Sequence, residues 1–178
     1  VIGTKFVLTM EHRDIKKFLK NLNIENLPPD SRRDLKRTAA QLDRKQRQAI
    51  VKEDFLSFVK YMWPAFIEGA HHRHVAEKFN KLREGKINRL IINMPPRHTK
   101  SEFASYLLPA WMIGNQPDLK IIQATHTAEL AIRFGRKAKH LMDSENYKEI
   151  FPTRLMEDSK AAGRWETEQG GEYFAFGV

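Results

Sequence analysis

The 178-residue sequence contains no cysteine. That excludes a disulfide framework and any thiolate metal site, and it fits a reducing compartment. No run of about 18 apolar residues is present, so no membrane-spanning helix is expected. There is no internal repeat and no low-complexity tract. The opening VIGTKFVLTM is too short and lacks the cleavage pattern of a secretory signal. Because it opens on Val1 and not on methionine, further native residues are expected ahead of it. Acidic residues are the scarcer charge, 22 Asp and Glu against 31 Lys and Arg, for a net charge of +9. Such an excess points to a polyanionic partner, nucleic acid first, or to a solvated basic surface. It is uneven, since residues 1–60 hold 14 basic against 8 acidic side chains. With 41% hydrophobic and 30% charged residues the chain has the composition of an ordinary globular protein. Its length suffices for one cored domain plus an appendage.

The most informative stretch is RLIINMPPRHTKS, residues 89–101. Arg89 to Asn93 is a short apolar run that predicts a strand buried on both faces. Pro95 and Pro96 stop it, because neither can donate a backbone hydrogen bond. Arg97, His98, Thr99, Lys100 and Ser101 follow, and then the helix-forming EFASYLLPAWMIG. Strand, tight turn, Lys-Ser and helix is the layout of a phosphate-binding loop. Backbone amides at the helix start would cup phosphate oxygens, Lys100 would reach the β/γ-phosphates, and the Ser101 hydroxyl would ligate Mg²⁺. Against G-x-x-x-x-G-K-[ST] only the last two positions match, with Met94 and Thr99 at the glycines. A β-branched threonine resists positive φ, so a variant loop geometry or a weak site is expected. Taken alone, the segment also fits a surface strand-to-helix turn.

Around it the chain divides into a helical appendage, 1–52, and an α/β domain, 53–178. Residues 4–22 predict a short amphipathic helix, 23–31 a break, and 32–52 a helix with a thin apolar stripe. That second helix is either a docking or DNA-contacting arm or a solvated connector. The aromatics Phe55, Phe58, Tyr61, Trp63 and Phe66 predict core. A helix then carries Val75, Phe79 and Leu82 on one face and stops at Gly85. Pro109 should kink or shorten helix 102–114, and KIIQAT (120–125) predicts a second buried strand. Helix 126–144 is capped by Thr127 and has a basic face with Arg133, Arg136, Lys137, Lys139 and His140. Residues 146–156 form a short helix or loop, and Gly170-Gly171 turns a hairpin. This order predicts a parallel αβα pattern with an antiparallel addition. His71, His72 and His74 invite a metal, but no cysteine or third well-spaced ligand backs them. A helix start whose histidines bond locally or contact a base fits better.

Residues 54–178 resemble the ATPase half of the large terminase subunit of tailed phages, the DNA-packaging motor. The likeness rests on the Trp63 region, the histidine-led helix, PPRHTKS, Pro-Ala-Trp at 109–111, IIQATHTAELAIRFGRKAKHLM and WETEQGGEY, in that order. It implies an additional-strand P-loop NTPase with an αβα sandwich core, using ATP and Mg²⁺. The implied nucleotide-binding residues are Pro96, Arg97, His98, Thr99, Lys100 and Ser101, with His71 and His74 near the adenine. Lys100 would be the phosphate lysine, Ser101 the Mg²⁺ ligand and Arg97 a loop arginine near the γ-phosphate. Arg133 or Arg136 would be an arginine finger acting on a neighbouring subunit. Implied partners are double-stranded DNA, the portal and the small terminase subunit. The subunits would assemble as a ring on the procapsid, in the host cytoplasm and without membrane. The Mg²⁺-water Asp, the catalytic Glu and the concatemer-cutting nuclease domain are expected beyond Val178, so residues 1–178 are expected to lack turnover. The family usually has Gly where Thr99 stands. Open alternatives are a helicase or nucleotide kinase, and a basic nucleic-acid-binding module with a vestigial loop.

Overall fold

The structure, a computed structural model, describes residues 28–158 and 161–178. The helix expected over 4–22 lies outside the described residues. The chain divides into two compact units, 1–50 and 51–178.

Helix α1 (Pro29–Glu53) supplies the described secondary structure of the first unit and enters the second at Val51. Pro29 suits the first helical position, where no N–H is needed, and Asp30 sits in the positive first turn. Its exposed face is laced by local pairs such as Arg47 with Asp43, 3.0 Å apart one turn away.

The second unit is mixed α/β. It comprises α2 (Phe55–Met62), α3 (Ala70–Arg83), a helical run over 100–115 that ends as α4 (Leu108–Asn115), β1 (Lys120–Thr125), α5 (Ala128–Asp143), α6 (Glu145–Ile150), β2 (Arg164–Glu166) and β3 (Glu172–Gly177). The sheet has the order β1-β3-β2, with β1 parallel and β2 antiparallel to β3. The predicted hairpin is present: Gly170 takes φ 86°, and Thr167 accepts the Gly171 N–H on its hydroxyl at 2.8 Å. Helix α5 lies on one face of the sheet, over Tyr173, Ala175 and Trp165. Gly135 permits that approach, since a Cβ there would lie 2.5 Å from the Ala162 carbonyl and 2.9 Å from the Tyr173 ring.

The core is aromatic. Phe55 meets Phe79, Phe103 and Trp111 edge-on, with centroids 5.0, 5.4 and 5.4 Å away. Asp54 fixes its position by capping α2 through the Ser57 N–H at 2.7 Å and accepting from Asn80 of α3 at 2.8 Å. Asn80 in turn accepts the Phe55 N–H at 2.9 Å. Burial alone would raise the Asp54 carboxyl, but the bonds from Ser57 and Asn80 hold it below its ordinary value.

Two expectations change. Residues 89–94 are extended but pair with no strand among the described residues, and Ile91 is 87% exposed. Leu90, Ile92 and Met94 alternate inward, so the segment is half-buried and not buried on both faces. The sheet is likewise covered on one side only among the described residues. Ile122 is 72% exposed and Phe174 and Phe176 face outward, which departs from the expected two-sided αβα core. The interruption expected at Pro109 takes the form of a change of helix type. Residues Glu102–Leu107 are π-helical, with the Leu108 N–H bonded to the Phe103 carbonyl, so the wider turn takes up the register that proline disrupts. No helix among the described residues is long and apolar enough to cross a membrane.

Replacing Phe55 by alanine empties the centre of this cluster and is expected to cost about 3–5 kcal/mol. Chemical denaturation measures it, and a loss under about 1 kcal/mol would place the core elsewhere.

Candidate nucleotide-binding site

The loop from Pro95 to Lys100 joins the extended segment to the helical run. Arg97 has φ 65° and Thr99 φ 59°, both in the left-handed region. Thr99 therefore takes the conformation its branched side chain resists. Its carbonyl accepts the Phe103 N–H at 2.9 Å and so opens the helix. The first amides of that helix, from Lys100 onward, have no acceptor within it. Left-handed then right-handed residues at a helix start turn successive N–H groups the same way, a geometry suited to anions.

The loop is closed by its own side chains. Lys100 Nζ donates to the Met94 carbonyl at 3.2 Å, bridging the two ends. His98 Nδ1 donates to the Pro96 carbonyl at 2.9 Å. Pro95 through Glu102 line an open cleft of about 310 Å³. Lys100, Ser101, Arg97, His98 and Pro96 are exposed there, and Arg97 and Ser101 make no side-chain hydrogen bond within the described residues.

His71 and His74, on the first turns of α3, are exposed and line a second cleft of about 270 Å³ with Val75, Leu90, Ile92 and Met94. This cleft is mainly apolar and shares the extended segment with the loop. Among the described residues no group of three or more His, Asp or Glu side chains is arranged to hold a metal ion. Ser101 fits a Mg²⁺ ligand in that its hydroxyl is exposed and unengaged at the helix start.

Between the two clefts stands His72, which the sequence does not distinguish from its neighbours. It is 6% exposed, with Phe66 and Phe103 rings 4.8 and 5.2 Å away. Its Nδ1 accepts the Gly69 N–H at 2.9 Å, and its Nε2 lies 2.7 Å from the Thr99 hydroxyl. The signal for it is positional: the third residue of a helix can reach back to the capping amide. Glu102 is the second such residue. Lys137 of α5 donates to both its oxygens at 2.7 Å and lies 4.8 Å from the Tyr106 ring centre. That contact sets α5 beside the helical run following the loop. Arg133 and Arg136 are exposed on α5 and have no ion pair among the described residues.

Compared with protein-family models, with curated proteins and with solved structures, the chain matches none.

His72 is held below its ordinary pKa, chiefly because burial disfavours the imidazolium, with His71 and His98 adding to this and Glu68 opposing it. A folded value below the unfolded one means the unfolded chain binds the extra proton. Its contribution to stability is therefore complete above about pH 6.5 and is lost as pH falls from there toward the folded value. Thermal unfolding followed across that range should show the midpoint dropping on acidification, and less so in His72→Phe. Identical profiles would rule this out.

Proposed function

We propose that residues 51–178 form the nucleotide cradle of a P-loop ATPase of the additional-strand class. We place it in the motor part of a phage large terminase subunit, which drives double-stranded DNA into a procapsid. The observation that carries the reading is the left-handed loop ending in Lys100 and Ser101 at a helix start, set beside the apolar cleft of His71 and His74.

In this reading the triphosphate lies along 96–101 and the adenine enters the His71–His74 cleft, against Val75, Leu90 and Ile92. Lys100 exchanges the Met94 carbonyl for β/γ-phosphate oxygens, a charge-assisted bond in place of a neutral acceptor. Arg97, at the left-handed apex, is free to approach the γ-phosphate. Ser101 would hold Mg²⁺, which supplies charge neutralisation across the phosphates. Among the described residues the one carboxylate lining the loop cleft is Glu102, which is engaged by Lys137 and is poorly suited to activate water. In this reading residues 1–178 bind nucleotide without turning it over. Arg133 or Arg136 serves as the finger toward the adjoining subunit of a ring that meets the portal and the small terminase subunit. The net charge of +9 supports a DNA partner.

A non-hydrolysable ATP analogue with Mg²⁺ should bind the parent chain, and Lys100→Ala should weaken it by about tenfold or more. Equal binding by both would remove this reading, whereas robust Lys100-dependent turnover by residues 1–178 would keep the cradle and overturn only the expected lack of turnover. In the full-length ring, charge reversal at Arg133 or Arg136 should lower ATPase rates by more than about tenfold, and rates left intact at both would discard the finger role.

A further inference from the structure

We infer that His72 is the positioning residue of the phosphate loop, holding Thr99 in its left-handed conformation through a directed hydrogen-bond chain; the inference rests on the nucleotide reading above.

Thr99 at φ 59° is sterically disfavoured, so something must hold it there. The proton positions of the chain follow from chemistry. The His98 carbonyl can only accept, so the Thr99 hydroxyl donates to it at 2.7 Å. The hydroxyl oxygen is left to accept from His72 Nε2–H at 2.7 Å. His72 Nδ1 must then be bare, and it receives the Gly69 N–H at 2.9 Å. Reversing any proton would set donor against donor. The imidazole is also fixed sideways, with the His71 ring 3.8 Å from it and Phe66 and Phe103 packed around it.

The effect reaches the reacting end of the loop through the backbone. Thr99 accepts the Phe103 N–H, so anchoring Thr99 anchors the turn that carries Lys100 and Ser101. His72 touches neither Lys100 nor phosphate in this scheme and acts through Thr99.

The test uses the full 178-residue chain and a non-hydrolysable ATP analogue with Mg²⁺, in a cycle of parent, His72→Phe, Thr99→Gly and the double variant. Phenylalanine keeps a ring in the aromatic slot and removes both nitrogens. His72→Phe should weaken binding by about tenfold when made in the parent chain. Made on top of Thr99→Gly, it should weaken binding by less than about twofold, because glycine takes positive φ unaided. Equal losses in both backgrounds would overturn the inference. A second readout needs no nucleotide: the ¹⁵N resonances of the His72 ring should report a neutral imidazole protonated on Nε2 and should shift in Thr99→Val. A proton on Nδ1, or no response to Thr99→Val, overturns it even where the phenylalanine variant fails to fold. A parent chain that binds no analogue yet gives the Nε2 response would remove the nucleotide reading and leave the clamp standing.

Discussion

The site depends on the way Phe103 belongs to two structures at once. Its amide closes the first turn of the helix on Thr99, and its ring packs against Phe55, Phe66 and His72. The loop is thereby bolted to the aromatic core and does not float on the surface. The same residue explains why an aromatic cluster from α2 matters to a turn about forty residues further on. Close packing transmits position: if Phe55 moved, Phe103 and the first helical turn would have to move with it.

The π-helical stretch between the loop and α4 adds a second constraint. A wide turn rotates everything before it relative to everything after it, so the loop end and the buried Ala110, Trp111 and Ile113 face independently chosen directions. Tyr147 secures the far side by donating to the Ala110 carbonyl at 2.8 Å, and burial raises its phenol well above the ordinary value. Lys137 secures the near side through Glu102.

Much of this was legible in local patterns. Thr127 caps α5 by accepting the Leu130 N–H at 3.3 Å, Gly85 stops α3 at φ 70°, and Gly170 turns the hairpin, because each answers to backbone chemistry within a few residues. The run Arg89–Asn93 misled because an apolar strand is defined by its neighbours, and sequence cannot say whether a neighbour is there. Thr99 takes a positive φ in spite of its branched side chain. The strain is present, yet a hydrogen bond from a residue 27 positions earlier compensates for it, and no local pattern reveals such a partner. His71 and His74 stood out as a pair, whereas the buried member between them is the one bonded to the loop.

The bare side of the sheet has a practical meaning for anyone handling this chain. Phe174 and Phe176 lie 5.9 Å apart with their rings tilted by 28° on the outward face, next to Ile122, and β1 has one edge with no partner among the described residues. Oily, flat and open along its rim, such a surface invites molecules to adhere to one another as they are concentrated. The side of the sheet opposite α5 and the positive charge thus pull the colloidal behaviour of the chain in opposite directions, the first toward association and the second against it.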